Sequence, residues 1–260
     1  MENEQLNIEI DEQQSTYGRR VYVYFTLLIL FVIAVFGVKA KWQNHVPVRQ
    51  VSVEGLSVVS KEEVVRLMNL PPNVQMYQLD LTAIQKNVLN NSFIEKVIIK
   101  RDAPSTIRVI IEERKPSAIL VANELYYIAG DGTVLPYIAS SETYDIPVIS
   151  GVDSLNRIKT GQKLINADVC EALEIITASK MTNENLFHAI SEIRLRKGND
   201  LIMYSFETGT PIIFGKGDAV KKMVKLEAFW QKFLHNNDTK DIQYIDIRFD
   251  DQVVVLKKNS

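Results

Sequence analysis

Residues 97–116 read VIIKRDAPSTIRVIIEERKP, and this stretch predicts a β-hairpin. The run 94–100 is rich in β-branched residues, which favour strands. A turn at 102–105 carries Asp, Pro and Ser, the residue types that favour turns, and a second apolar run follows at 107–111. The hairpin is the firmest local prediction, and the neighbouring elements are placed relative to it.

A strand and two helices are predicted just before the hairpin. Residues 48–54 alternate in polarity, as a strand does. Ser60 and Glu63 have the spacing of a capping box, in which the hydroxyl and the carboxylate each satisfy a free N–H group at the start of a helix. Asp80 is expected to cap a second helix. The predicted order over residues 48–114 is therefore strand, helix, helix, strand, strand.

Further upstream lies an apolar run, Val21–Val38, that contains no charged residue. As a helix it spans about 27 Å, close to the thickness of the hydrocarbon core of a bilayer. Tyr22 and Tyr24 lie near one end and Trp42 lies just beyond the other, where amphipathic rings favour the membrane interface. We therefore predict a single transmembrane helix, preceded by a polar and acidic tail at 1–20.

Two other interpretations of this run are weaker, and its direction in the membrane is open. A buried core helix is disfavoured because the run is apolar on all faces. A cleavable signal peptide is disfavoured because the run is longer than a typical signal and follows a long polar segment. Arg19 and Arg20 before the run are balanced by Lys39 and Lys41 after it, so the positive-inside rule gives no direction.

The residues after the hairpin, 115–260, predict a β-rich domain with two helices. Short alternating runs and tight turns such as Asp131–Gly132 recur along it. The first helix is expected at 167–179, with Cys170 as a small core residue beside its apolar stripe. The second is expected at 218–234 with Asp218 as its cap. The residues of this second helix expected to face the core are Val220, Met223, Leu226, Trp230 and Phe233.

The order of these parts, and several of their sequences, resemble a known family. The segments VSVEGLSVVSKEEV at 51–64 and VIIKRDAPSTIRVIIEERKP at 97–116 resemble a POTRA domain. The Glu-Arg-Lys-Pro ending at 113–116 and the string YIDIRFDDQVVVLK at 244–257 resemble the bacterial division protein family FtsQ/DivIB. The resemblance covers the whole chain and implies an α+β protein. The implied parts are a cytoplasmic tail at 1–20, a transmembrane helix at 21–38, a linker at 39–47, a POTRA domain at 48–114 and a β domain at 115–260.

The resemblance also implies a function. In FtsQ/DivIB proteins the C-terminal end of the β domain recruits the FtsB/DivIC–FtsL pair, and the POTRA domain supports recruitment to the division site. The tail would lie inside the cell and both domains outside the cytoplasmic membrane, at the septum. The implied partner-binding residues are Tyr244, Arg248, Phe249, Gln252, Val253, Val254, Val255 and Leu256. Many relatives extend beyond this region, whereas this sequence ends at Ser260.

The same region is a candidate binding site on physical grounds. Strands are expected at 244–249 and 252–256, and only four residues follow the second. A final strand can leave one edge unpaired, and its free N–H and C=O groups can then accept an incoming strand. A substitution of Val254 by Asp or Pro is expected to disrupt such strand addition and leave the fold intact. An interior or covered strand is the alternative.

Composition and motifs favour a protein that binds other proteins over an enzyme. The net charge of −2 gives no overall field that would attract nucleic acid. A single cysteine excludes an intrachain disulfide, and the three histidines lack the spacing of metal ligands. We therefore expect no catalytic residue, no cofactor, no metal and no small-molecule substrate.

Two charged groups are interpreted as surface features. Glu112 and Glu113 close the hairpin, and we expect one to face solvent and Glu113 to pair with a basic neighbour. Four lysines near the start of the last predicted helix are expected to form a solvated face rather than an anion-binding site. They are Lys216, Lys221, Lys222 and Lys225.

Three functions fit these observations. The resemblance favours a membrane-anchored divisome scaffold without enzymatic activity, which recruits FtsB/DivIC-like and FtsL-like proteins and links them to septal peptidoglycan synthesis. A POTRA-bearing transport or secretion component would need further POTRA units or a downstream barrel, and the sequence has one unit and no barrel-length segment. An anchored cell-wall enzyme is the third, because a spatial pair of carboxylates is invisible in a sequence.

Overall fold

The computed structural model describes residues 21–38, 46–138, 144–152, 158–196, 200–234 and 241–258. The predicted tail at 1–20, most of the linker and the side chain of Phe233 lie outside the described residues. The chain is an α+β protein, as predicted, with one N-terminal apolar helix, α1, at Val21–Val38. This helix has 18 residues, enough to cross a membrane, and none of its surface is buried against the rest of the described chain.

The first sheet has the predicted order of elements. Its strands β1, β2 and β3 lie in the order β1–β3–β2, with β1 parallel and β2 antiparallel to β3. The elements are β1 at Gln50–Glu54, α2 at Lys61–Met68, α3 at Leu81–Val88, β2 at Ile94–Asp102 and β3 at Thr106–Glu113. Val64, Val88 and Ile107 are fully buried between the helices and the sheet.

The Ser60 and Asp80 side chains cap α2 and α3 as predicted, but the capping box at α2 is half formed, because the Glu63 carboxylate contacts Arg66 instead of the Ser60 N–H. The Ser60 hydroxyl accepts a hydrogen bond from the Glu63 N–H at 3.2 Å. The Asp80 carboxylate accepts from the N–H groups of Thr82 and Ala83 at 2.9 and 3.1 Å. The Glu63 carboxylate contacts the Arg66 guanidinium on the surface of α2.

The prediction for Glu113 is wrong. Its two carboxylate oxygens accept hydrogen bonds from the backbone N–H groups of Val58 and Val59, at 2.8 and 2.9 Å, instead of pairing with a basic side chain. Glu112 forms the ion pair instead: its Oε2 lies 3.0 Å from Lys96 Nζ across the hairpin. Glu113 therefore fixes the loop before α2 to the end of β3, a contact 54 residues apart in sequence that no local pattern indicates.

The second sheet has nine strands in the order β12–β11–β10–β9–β8–β7–β4–β5–β6. The strands are β4 at Pro116–Val121, β5 at Leu125–Ala129, β6 at Val134–Pro136, β7 at Val148–Ser150, β8 at Ile190–Arg196, β9 at Asp200–Ser205, β10 at Pro211–Gly215, β11 at Ile242–Asp246 and β12 at Val254–Lys257. Three helices accompany them: α4 at Ala167–Thr182, α5 at Glu184–His188 and α6 at Ala219–Leu234. The prediction had two helices and missed the five-residue α5, which Asn183 caps.

The main core lies between this sheet and its helices. Met223 and Leu226 of α6 are fully buried with Val169 of α4 and with strand residues such as Ile193 and Phe214. The two sheets also share a boundary, because Tyr127 and Leu135 of the second sheet pack into the cluster formed around the first. Continuous packing of this kind joins the two parts.

Two core predictions in the helices are wrong. Cys170 is exposed, because the adjacent Val169 faces the core and Cys170 lies on the outward stripe of α4 with Glu174 and Thr177. Val220, in the first turn of α6, is 58% exposed, while Met223 and Leu226 are buried as predicted. The first turn of α6 therefore directs Val220 to solvent, while Ala219 packs against the main core.

Candidate functional site

β12 lies at one edge of the nine-stranded sheet and pairs with β11 alone among the described strands. The opposite edge, β6, is covered. The Val134 N–H donates to Gln162 O at 3.0 Å, and the Gly161 N–H donates to Val134 O at 2.8 Å. One edge of this sheet is therefore blocked by its own chain, and the other carries backbone groups that no described strand takes up.

The last two strands are shorter and shifted relative to the predicted 244–249 and 252–256. β11 ends at Asp246, and β12 begins only at Val254. The residues between them, 247–253, form a connection that we call the C-terminal turn. Part of its backbone bonds with side chains: the Arg248 N–H donates to the Asp246 carboxylate at 3.0 Å, and Lys225 donates to Ile247 O at 3.0 Å.

The alternation of the antiparallel ladder shows which backbone groups of β12 face outward. The Ile247 N–H donates to Ile213 O, toward β10, and the Lys258 N–H donates to Asp241 O, toward β11. N–H groups of consecutive strand residues point to opposite sides. The N–H groups of Val254 and Leu256 therefore face β11, and the N–H and C=O groups of Val255 face the open side.

The side chains of the edge alternate as well. Val253 and Val255 pack against the main core, whereas Val254 and Leu256 are 36% and 42% exposed on the other face of the sheet. Tyr244 lies opposite Leu256 on β11 and is half-buried. The edge thus combines free backbone groups with an exposed apolar row.

The remaining predicted site residues lie in the C-terminal turn. Phe249 is 45% exposed and Gln252 is exposed. Arg248 bridges two carboxylates: its Nη2 lies 2.7 Å from Asp246 Oδ2, and its Nη1 lies 3.1 Å from Asp200 Oδ2 on β9. Burial by itself would raise the pKa of Asp246, but the hydrogen bonds from Arg248 hold this pKa below its usual range. Asp246 is therefore ionised at neutral pH and orients Arg248.

The interpretation of the four lysines as a solvated face is wrong for Lys222, whereas the Lys221 side chain is 60% exposed. Lys222 is buried: its Nζ donates to Lys216 O at 2.6 Å and lies 4.9 Å from the centre of the Phe214 ring. This burial lowers the pKa of Lys222. Lys216 pairs with Asp168 at 2.7 Å, and Lys221 with Asp250 at 3.3 Å. Lys216 and Lys222 thus tie the turn before α6 to α4 and α6, and Lys221 makes an exposed pair with the C-terminal turn.

Of the four lysines, Lys225 bonds directly to the backbone of the C-terminal turn. Its Nζ donates to Ile247 O at 3.0 Å and also to Phe249 O. Sequence reasoning missed Lys225, Asp246 and Asp200 as parts of this site. The i,i+4 spacing of Lys221 and Lys225 was the available signal, but it places them on one face of a helix without showing what that face contacts.

A separate groove of about 990 Å³ lies between α4, the start of α6 and the turn after β5. Its lining is mainly apolar and includes Cys170, Met181 and Val220. Within the described ranges, no cluster of three or more His, Cys, Asp or Glu side chains is placed to hold a metal ion. The residues that line the groove precede β12 in the sequence, and none of them is a predicted partner-binding residue.

Comparisons with known proteins give one family match for the region of each sheet. Residues 46–114 match the model of the POTRA domain, FtsQ-type, and residues 115–255 match the model of the FtsQ/DivIB C-terminal related family. Cell division protein FtsQ of Geotalea daltonii is 26% identical over 210 residues, covering 80% of this chain and 74% of the relative. That of Salinibacter ruber is 21% identical over 253 residues, covering 94% and 96%.

A further relative is the cell division protein DivIB of Bacillus subtilis, which is 29% identical over 130 residues and covers 49% of each chain. The two family models adjoin at residues 114 and 115, between β3 and β4, and the second ends at residue 255, within β12. By the order of its parts and by these matches, the chain belongs to the FtsQ/DivIB family of bacterial cell division proteins.

Proposed function

We propose that this protein is a membrane-anchored, non-enzymatic scaffold of the divisome, which recruits FtsB/DivIC-like and FtsL-like proteins and links them to septal peptidoglycan synthesis. The binding site in this proposal is β12 with the exposed row beside it. A partner segment would add as a further strand next to β12. Membership in a family of divisome proteins supports the setting, and the edge of the sheet supports the mode of binding.

The open edge of β12 is the observation that carries the proposal. Strand addition needs free N–H and C=O groups for affinity and exposed side chains at alternate positions for selectivity. The backbone groups of Val255 supply the first, and the side chains of Val254, Leu256 and Tyr244 supply the second. An exposed, flat edge that has no such use would be an aggregation hazard.

The proposal includes a topology and a division into domains. The tail at 1–20 would lie in the cytoplasm, α1 would cross the membrane once, and the POTRA and β domains, 48–114 and 115–260, would lie outside, at the septum. Anchoring in the same membrane as its partners would raise the effective concentration of β12 for them.

The topology predicts that protease added to intact spheroplasts digests the part of the chain after α1. Exposed connections give a protease access to folded domains. Immunodetection of an N-terminal tag should then show a short protected fragment, and permeabilised cells should lose this tag as well. Protection of the long C-terminal part in intact spheroplasts would contradict both the topology and the scaffold.

Proline at position 255 is expected to weaken binding of the partner pair by roughly 10- to 100-fold, because it removes an outward N–H and leaves a partner carbonyl unpaired. Proline is tolerated on an edge strand when its missing N–H would face solvent, so the fold should persist. Val255→Pro therefore separates binding from folding better than a proline at Val254, whose N–H faces β11. Affinity would be measured with the purified FtsB/DivIC–FtsL pair.

Val255→Ala is the matched control, because it shortens the side chain and keeps the N–H group. It should bind the pair within a few-fold of wild type. Depletion of the protein, complemented by each variant, gives the cellular readout: Val255→Pro should leave filamentous cells that lack the partners at midcell. Wild-type affinity for Val255→Pro would rule out strand addition at this edge.

A further inference from the structure

Lys225 holds the C-terminal turn from outside the sheet. It is a half-buried residue in the second turn of α6, and its Nζ donates to two backbone carbonyls, Ile247 O and Phe249 O. Ile247 is itself fully buried. Hydrogen bonds from an ammonium group to carbonyls are stronger than neutral ones, so one side chain fixes two alternate residues of the turn.

The rest of the turn is tied to other elements of the sheet. The Arg248 side chain between them points the opposite way, to Asp246 on β11 and Asp200 on β9. Arg248 also packs on Gly215, where a Cβ would lie 2.9 Å from its Cγ. The side-chain contacts of three consecutive residues therefore alternate between α6 and the sheet, and the Ile247 N–H also donates to Ile213 O of β10.

This alternation determines where β12 starts. The turn has seven residues, 247–253, and β12 has four, Val254–Lys257, so few ladder bonds align the strand. A short edge strand that follows a free turn can slip in register or fray. With the turn held at Ile247 and Phe249, the four residues of β12 return along β11 in one register.

We propose that Lys225 is a positioning residue for partner binding, which keeps β12 in the single conformation that an incoming strand can join. The proposal rests on the proposed function, because it assigns a role at the same edge. If β12 adopts the binding-competent conformation in only a fraction of the molecules, the observed affinity is the intrinsic affinity multiplied by that fraction. Lys225 thus acts on affinity without touching the partner.

The kinetic consequence distinguishes positioning from contact. If Lys225→Met lowers the fraction of competent edge, the observed association rate with the purified FtsB/DivIC–FtsL pair should fall by about tenfold. The dissociation rate should stay within about twofold, because the bound complex keeps the same contacts. Val255→Pro should differ, with most of its effect in dissociation.

The test uses the full-length protein in nanodiscs and two measurements. Hydrogen exchange of the Val254, Leu256 and Lys258 amides, which face β11, should be about tenfold faster in Lys225→Met, and that of Leu201 and Met203 in β9 should be unchanged. Association and dissociation rates with the partner pair are measured on the same samples. Lys225→Arg, which can still donate to both carbonyls, should restore most of the wild-type association rate.

Lys221→Met is the matched control. Lys221 lies one turn earlier on α6 and forms an ion pair with Asp250 at the protein surface. Both side chains are more than half exposed. Such surface pairs contribute little, so this variant should match wild type in exchange and in both rates.

Unchanged exchange of the Val254, Leu256 and Lys258 amides in Lys225→Met would overturn the proposal, and so would faster exchange with an unchanged association rate. If Val255→Pro instead bound the partner pair with wild-type affinity, the edge of β12 would not be the partner-binding site. The exchange measurement would then still show whether Lys225 holds β12, so the two failures are distinguishable.

Discussion

Alanine at Gly55 is expected to destabilise the first sheet by about 2–5 kcal/mol, from the summed costs of a strained backbone and of overpacking. Gly55 ends β1 with a φ of +86°, and a Cβ built there would lie 2.0 Å from Ile111 O on β3. A backbone atom cannot move aside as the end of a flexible side chain can. The substitution therefore forces β1 away from β3.

Hydrogen exchange of β1 and β3 amides in the detergent-solubilised chain would measure this loss. Gly209→Ala is the control, because Gly209 also has a positive φ, +62°, but no atom lies within 4 Å of the added Cβ. Gly209→Ala should lower the free energy of unfolding by about 1 kcal/mol, because only the backbone strain contributes. Equal effects of the two substitutions would mean that the close approach to Ile111 contributes nothing.

Phe214→Ala is expected to destabilise the second sheet by about 3–5 kcal/mol, the usual cost of removing a buried aromatic ring. Phe214 is the largest side chain among those that are fully buried in the described part of the chain. It lies on β10, next to β11, and the buried Lys222 ammonium faces its ring. Its loss leaves a cavity and removes a favourable partner of a buried charge.

Urea unfolding followed by the fluorescence of Trp230, which packs against the same core, would report the change. Phe214→Leu keeps most of the apolar volume and should lose less than half as much stability. Because β11 is the only described strand that pairs with β12, Phe214→Ala should also weaken partner binding. A midpoint within experimental error of wild type would contradict the assignment of Phe214 to the main core.

The local elements could be predicted because their causes lie within a few residues. Ser60 and Asp80 accept hydrogen bonds from N–H groups two or three residues ahead, so a short pattern contains both partners. The turn at Asp131–Gly132 is similar: Gly132 has a φ of +83°, and Asp131 accepts from the Thr133 N–H. Helical periodicity also placed Met223 and Leu226 in the core.

The errors share a different cause. Glu113 bonds to a loop 54 residues away, Lys222 is buried against β10, and Lys225 bonds to a turn 22 residues further on. Charge patterns assign such side chains to the surface, because burial of a charge is costly without a partner. The partners here are backbone carbonyls and N–H groups, whose availability depends on where strands end.

The sequence by itself determined the apolar helix, the strand–helix–helix–strand–strand unit, the β-rich character of the remainder and the family. The first three follow from hydrophobic periodicity and from caps and turns, which act over short distances along the chain, and the family follows from the resemblance of segments such as 97–116 and 244–257. Only the tertiary structure decided that β12 is an open edge, that Val255 presents its backbone outward and that Lys225 holds the turn before it. Pairing between strands and contacts between a helix and a turn depend on distances in space, which sequence spacing does not encode.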